Sequence, residues 1–364
     1  MTILAADVQS AQLGATTPEA LRQLAREYGS YADLLEAYFQ VGWTDGLPVV
    51  PPTPEKVAAF LEAGHMAPGR VVGSVPTREI TVSAEQVAIN AIMAGCRPEY
   101  MPIVLAAVRA HLSPKANCHS TTATLSGAAQ LVLVNGPARR ELGILCREGC
   151  FGPGSRANAA IGRALRLVIR NVCRAVPGFA DRASFSQPAR LSACFGEDEE
   201  GGQRPNGAGW APLHVELGFA AEQNVVTMYS FTDYFAYLVP ELTTPEAFLD
   251  GLIRFARSRP ISLDTNVGDD RAVIFVFGPE HRDFLADAGW SKRHIREYLF
   301  PGLVASNGHG LAGDLMGNVP IGGMLESNFN LARPEGILIV GAGGAGSGTW
   351  VFYPHLCSAV STTC

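Results

Sequence analysis

Residues 101–137 read MPIVLAAVRAHLSPKANCHSTTATLSGAAQLVLVNGP, and residues 244–279 read TPEAFLDGLIRFARSRPISLDTNVGDDRAVIFVFGP. Each opens on a proline at the start of a stretch with apolar residues at helical spacing. Each then crosses a polar loop and reaches a continuous apolar run that ends in Gly-Pro, Leu131–Val134 in the first and Val273–Phe277 in the second. An apolar run without alternation marks a strand buried on both faces, as in parallel sheets covered by helices. The match continues past Gly-Pro, with Arg140 opposite Arg282, Glu141 opposite Asp283 and Leu142 opposite Phe284. The expectation is an α/β chain with buried, partly parallel sheets covered by helices, in two related lobes from an internal duplication. The other reading is chance recurrence of a common strand–Gly-Pro–helix unit.

Outward from these segments, Ser83 and Gln86 form a capping-box pattern, and Thr17-Pro18 and Thr53-Pro54 each read as a helix start. Ser155 is placed to cap a long helix opened by FGPGSR. Short strands are expected at His214–Glu216 and Val225–Tyr229, and the last strand at Ile337–Val340. The organisation expected is a disordered 1–16, a first α/β lobe over 17–195, an acidic loop or linker over 196–207, a second lobe over 208–350 and a cysteine-containing tail over 351–364.

The 364 residues include 47% hydrophobic and only 17% charged side chains, which suits a large interior or a subunit interface. A net charge of -6 argues against a nucleic-acid partner, whose phosphates call for basic patches. No apolar run reaches the ~18 residues that span a bilayer, and the N-terminus lacks a basic start, so a cytoplasmic, non-membrane protein is expected. Eight cysteines are too few for a disulfide scaffold and read as core residues, reactive thiols or metal ligands.

Four groups of residues carry chemistry. The first is GAGGAGSGTW after the last strand, where Gly341, Gly343, Gly344 and Gly346 can turn backbone N–H groups toward an anion. The GxGxxG spacing resembles a dinucleotide loop, but an extended segment follows where a helix is required. No second-strand acidic residue follows either, so NAD or FAD is disfavoured. A small anion or a purely structural turn remain as readings. The second is Gly152, Gly154, Ser155 and Arg156 at a helix N-terminus, where free N–H groups attract anions. Arg163, Arg166, Arg170 and Arg174 beyond it read as a solvated stripe paired with Glu197–Glu200.

The third group is the cysteines. Cys118 beside His119 and Cys96 beside Arg97 have neighbours able to lower a thiol pKa. Cys146, Cys150 and Cys173 are candidate ligands of a metal ion or cluster, although no CxxC pair is present. The fourth group is His214 with Glu216, His309 with Asp314, and Glu326, Asn328 and Asn330, as acid–base or ligand sets against the commoner reading of a solvated strand face.

The segments WTDGLPVVPPTPEKV, AINAIMAGCRPEYMPIVLAAV, LVLVNGP, FGPGSRANAAIGRALRL and GWSKRHIREYLF resemble a large, poorly characterised bacterial family over most of residues 43–345. Some members of that family are encoded beside a small protein with a selenocysteine- or cysteine-Gly-Ser-Cys motif. The resemblance implies a two-component, thiol- or selenol-linked activity and picks out Cys96 in the shared AGCRPEY segment. LCREGC and the tail HLCSAVSTTC depart from the family pattern.

Together these readings predict an enzyme or enzyme subunit acting on a small anionic substrate by thiol chemistry, of lyase or reductase type. Cys118 or Cys96 would be the nucleophile and His119 the base or orienter. The alternatives are a metal- or cluster-binding subunit and a non-catalytic partner subunit of a two-component enzyme. A homo- or hetero-oligomer is expected, with a small cysteine or selenocysteine protein as one partner.

Overall fold

The computed structural model describes residues 30–203, 209–258, 272–304, 331–346 and 348–364. The helix start at Thr17, the pair His309 and Asp314, and the set Glu326, Asn328 and Asn330 lie outside the described residues.

After helices α1 (Tyr31–Gln40) and α2 (Pro54–Ala63), strands β1 (Val71–Val75) and β2 (Ile80–Ser83) form a small antiparallel hairpin. Helix α3 (Ala84–Met93) starts with the expected capping box: Ser83 Oγ accepts from the Gln86 N–H and Gln86 Oε1 accepts from the Ser83 N–H. The next elements are α4 (Met101–Leu112), α5 (Cys118–Ala123), β3 (Ala129–Asn135), α6 (Ala138–Glu141), α7 (Arg156–Leu167), β4 (Cys194–Gly196), α8 (Leu213–Glu216) and β5 (Val225–Leu238). The remainder runs α9 (Pro245–Arg257), β6 (Val273–Phe277), α10 (Pro279–Asp287), α11 (Lys292–Val304), β7 (Ile337–Gly341), β8 (Gly348–Pro354) and β9 (Val360–Thr363).

One mixed sheet carries both halves of the chain, in the order β4-β3-β5-β8-β6-β7, with β9 paired to β5. The strand order reads the same from either edge. β3 lies parallel to β4 and antiparallel to β5, and β6 lies parallel to β7 and antiparallel to β8. β5 and β8 pair antiparallel across the middle. Apart from the short α5 and α8, the order helix, strand, Gly-Pro, helix, helix, parallel strand, antiparallel strand occurs twice among the described residues, from α4 to β5 and from α9 to β8.

Alternation along the strands assigns the two faces. Val132 and Val134 pack with α3, α4 and α7 in one apolar core, and Val273, Phe275 and Phe277 pack with α9 and α11 in a second. The opposite face carries Leu131, Leu133, Tyr229, Phe231, Ile274, Val276, Val340 and Phe352 in a third core. Each of the larger of these side chains contributes about 2–3 kcal/mol by leaving water.

Three local expectations change. His214–Glu216 is a single helical turn, α8, rather than a strand, because Pro212 precedes it and the Leu213 N–H is held by Glu197. Cys118 and His119 begin α5 rather than a loop. The cysteine-containing tail is part of the sheet: β9 pairs with Val225–Met228 of β5, and the Ser230 N–H bonds to the buried Cys357 sulfur. No helix among the described residues is long and apolar enough to cross a membrane.

Candidate functional site

Three elements bring two cysteines and a histidine together. Cys118 opens α5, Cys173 follows the π-type turn Val168–Val172 that ends α7, and His111 lies in the last turn of α4. Cys118 is 6% exposed and Cys173 is fully buried. The neighbouring Cys173 side chain holds the Cys118 thiol well below the ordinary thiol value, against the opposing effect of burial. His111 and the Arg78 guanidinium add to that stabilisation. Cys173 is correspondingly pushed well above the ordinary thiol value, by the neighbouring Cys118 and by burial. His111 is buried, and neither ring nitrogen makes an ordinary hydrogen bond.

Arg78, at the hairpin between β1 and β2, closes the outer side. It donates to the Cys173 carbonyl (2.7 Å), the His119 carbonyl (3.1 Å), Thr122 Oγ1 (2.6 Å) and His119 Nδ1 (3.3 Å). His119 is thus exposed and turned to Arg78. The ring set against Cys118 is that of His111, which corrects the expected pairing. Its signal was in the sequence: His111 continues the Val104, Val108 spacing of the buried face of α4.

Cys96, the other expected nucleophile, is buried in the core formed around α3 and α4. Burial pushes its thiol up to about 12, although Arg156 and Arg163 pull the other way. A buried, protonated thiol behaves as a small hydrophobe.

The terminal glycine turn meets the loop 146–150 that leads into the second one. The Gly343 N–H donates to the Cys146 carbonyl (2.9 Å), and the positive φ of +104 at Gly343 turns it there. A Cβ at Gly344 would stand 2.5 Å from Glu148 Cγ, so the loop at 146–150 is packed against the terminal turn. The Gly341 carbonyl accepts from the Asp198 N–H, and the Gly346 N–H bonds to Glu280 Oε1 at 2.9 Å. A carboxylate of the chain itself thus takes an N–H expected to meet an anion. At the other turn, the Gly152 N–H bonds to the Gly149 carbonyl. Ser155 Oγ caps α7 through the Asn158 N–H and donates to the Gly143 carbonyl. Arg156 donates to the carbonyls of Gly95 and Cys96. Gly154 has open space around it and a φ of +133.

Cys146 is half-exposed with its sulfur 3.5 Å from Arg139 Nη1, and burial raises its thiol. Cys150 is buried and pushed up to about 12. Cys173 stands with Cys118, apart from both, so the expected trio of metal ligands is not assembled. No group of three His, Cys, Asp or Glu among the described residues could hold a metal ion.

The acidic segment and the arginine stripe also part company. Glu197 and Asp198 are buried rather than solvated. Glu197 pairs with Lys292, Asp198 with Arg282 and Arg147, and Glu200 with Arg139. The stripe instead ties down the segment after α1: Arg163 pairs with Asp45, Arg170 donates to the Gly42 carbonyl, and Arg166 is buried on Gln130. Burial works against the ionised Asp198 carboxyl, but Arg282 and Arg147 outweigh it and hold its pKa below the ordinary value. A depressed carboxyl adds stability above its unfolded pKa and loses it as pH falls through the folded one. Asp198→Asn should therefore flatten the fall in urea midpoint between about pH 5 and pH 3. A slope equal to that of the unmodified chain would show that Asp198 contributes nothing to it.

No family model matches this chain, and neither the curated proteins nor the solved structures give a match.

Proposed function

We propose that the chain is an enzyme, or the larger subunit of one, that acts on a small anionic molecule by thiol chemistry centred on Cys118. The observation that carries this reading is the placement of Cys173, His111 and Arg78 around the Cys118 sulfur, each of which lowers its thiol pKa. Arg78 beside the pair supplies positive charge suited to an anion.

Of the two reaction classes, a second thiol in contact with the first favours reductase over lyase. The Cys118 thiolate would attack a substrate sulfur bonded to a leaving group, forming a mixed disulfide and expelling that group with its electron pair. Cys173 would then lose its proton and attack the Cys118 sulfur. The substrate thiolate leaves and takes that proton, and a Cys118–Cys173 disulfide remains. An external dithiol, such as the small cysteine or selenocysteine protein implied by the family resemblance, would restore both thiols and be oxidised in turn. Phe185 (99% exposed), Phe179 (49%) and Leu125 (67%) offer apolar surface for such a partner or for a second copy.

Alkylation by iodoacetamide, followed peptide by peptide, tests the assignment. Cys118 should label at a rate nearly constant from about pH 5 to pH 8, whereas Cys146 should label faster with each added pH unit. Cys118→Ser and Cys173→Ser should each abolish thiol-dependent turnover; the first should remove the Cys118 label, and Cys173→Ala should make the Cys118 rate rise with pH. A Cys118 rate in the unmodified chain that climbs about tenfold per pH unit would sink the reading.

A further inference from the structure

The sheet face that carries the third core is not filled to its edge. A cavity of about 180 Å³ lies between that face and the turn Pro188–Arg190. Its walls are Phe151, Phe195, Phe231, Tyr234, Phe352 and Leu131. Gln187 pins the covering turn, donating to the carbonyls of Phe231 (3.2 Å) and Thr232 (2.6 Å). We propose that this cavity is a binding site for a small, neutral, single-ring aromatic molecule, separate from the Cys118 centre.

Size, charge and wall geometry converge on that class. An apolar cavity of about 150 Å³ accommodates a benzene ring, so the volume here suffices for one ring with a small substituent. No Asp, Glu, Lys, Arg or His lines it. A charged ligand would therefore lose its hydration without a partner. Ser192 is already engaged, donating to the Asn158 carbonyl. Cys194 is kept as the uncharged thiol by complete burial.

The rings around the space already pair as aromatic groups prefer. Phe151 meets Phe195 edge-on at 4.7 Å and Phe352 at 5.4 Å, and Phe231 meets Tyr234 at 5.5 Å with planes at 90°. Tyr234 and Phe352 stack at 5.2 Å. A further flat ring would extend this edge-and-face set, gaining contacts that a saturated ring of equal size cannot make.

Titration of the full chain with toluene, read by NMR shifts of the methyls of Leu131, Ala189 and Ala193 and by melting temperature, tests the proposal. Methylcyclohexane is the comparator. Toluene should shift those methyls and raise the melting temperature, and methylcyclohexane should bind at least tenfold more weakly. Ala189→Phe should fill the space and abolish the shifts. Ala193→Leu serves the same purpose on a second wall should the first variant not fold. The proposal is overturned by absence of shifts up to the solubility of toluene, by equal binding of the two compounds, or by toluene binding that survives both plugs.

Discussion

Replacement of Lys292 by methionine is expected to destabilise the fold by about 3–5 kcal/mol, the cost of leaving a buried charge unpaired. The Lys292 side chain is 2% exposed and that of Glu197 is 4% exposed. Lys292 Nζ stands 3.0 Å from Glu197 Oε1 and 2.6 Å from the Ala211 carbonyl, with Glu216 at 3.5 Å. Glu197 Oε2 meanwhile accepts from Asn135 Nδ2 and from the Leu213 N–H, both at 2.7 Å. This one carboxylate therefore joins the C-terminal end of β3, the start of α8 and the start of α11. Methionine keeps the apolar stem but leaves the carboxylate without its cation. Urea unfolding measures the loss. Glu197→Gln in the same chain should recover part of it, since the double variant no longer buries a bare charge. A Lys292→Met chain within 1 kcal/mol of the parent would show that another cation reaches Glu197.

The second large effect is expected at Gly136, where β3 ends. Its φ is +91, and an added Cβ would stand 2.3 Å from the Gln223 carbonyl oxygen. Backbone strain and overlap with a backbone atom each cost on the order of 1–3 kcal/mol, and here they act together. The Gly136 N–H also holds Glu199 Oε1 at 2.7 Å, so a shifted turn would loosen the acidic segment as well. Gly136→Ala should lower the urea midpoint by an amount worth 3 kcal/mol or more, on the order of the two penalties combined. Gly95→Ala is the control: φ is +89 there, but nothing lies within 4 Å of the added atom. It should cost only the backbone strain, roughly 1 kcal/mol. Equal losses at the two positions would refute the steric argument.

Much of the fold was legible because it depends on neighbours in the chain. The runs LVLV, VIFVF and ILIV became β3, β6 and β7, buried throughout, since an unbroken apolar run can only lie between two covered faces. Ser83 and Ser155 cap the helices that follow them because a capping hydroxyl needs only the N–H three residues on. The single turn at Leu213–Glu216 was misread because four residues hold too little of either period to separate helix from strand.

The chemistry was less legible, because it depends on distant contacts. Cys118 stood out by its neighbour His119, yet α5 turns His119 toward Arg78, while α4 and α7 bring His111 and Cys173 to the sulfur. Adjacent residues on a helix point about 100° apart, so adjacency is poor evidence of contact. Glu197–Glu200 looked like a solvated loop because four acids in a row normally need water. Their cations come from α6 and α10 and, through Lys292, from the first residue of α11.

The sequence by itself determined the buried strands β3, β6 and β7 and the capped starts of α2, α3 and α7, since these follow from local periodicity and capping. It also carried the repeated helix–strand–Gly-Pro unit, now seen as a strand order that reads alike from both edges of the sheet. Only the tertiary structure decided that Cys118 meets Cys173 and His111, which lower its thiol pKa, while burial raises that of Cys96, because a thiol pKa is set by burial and by groups a few ångströms away in space.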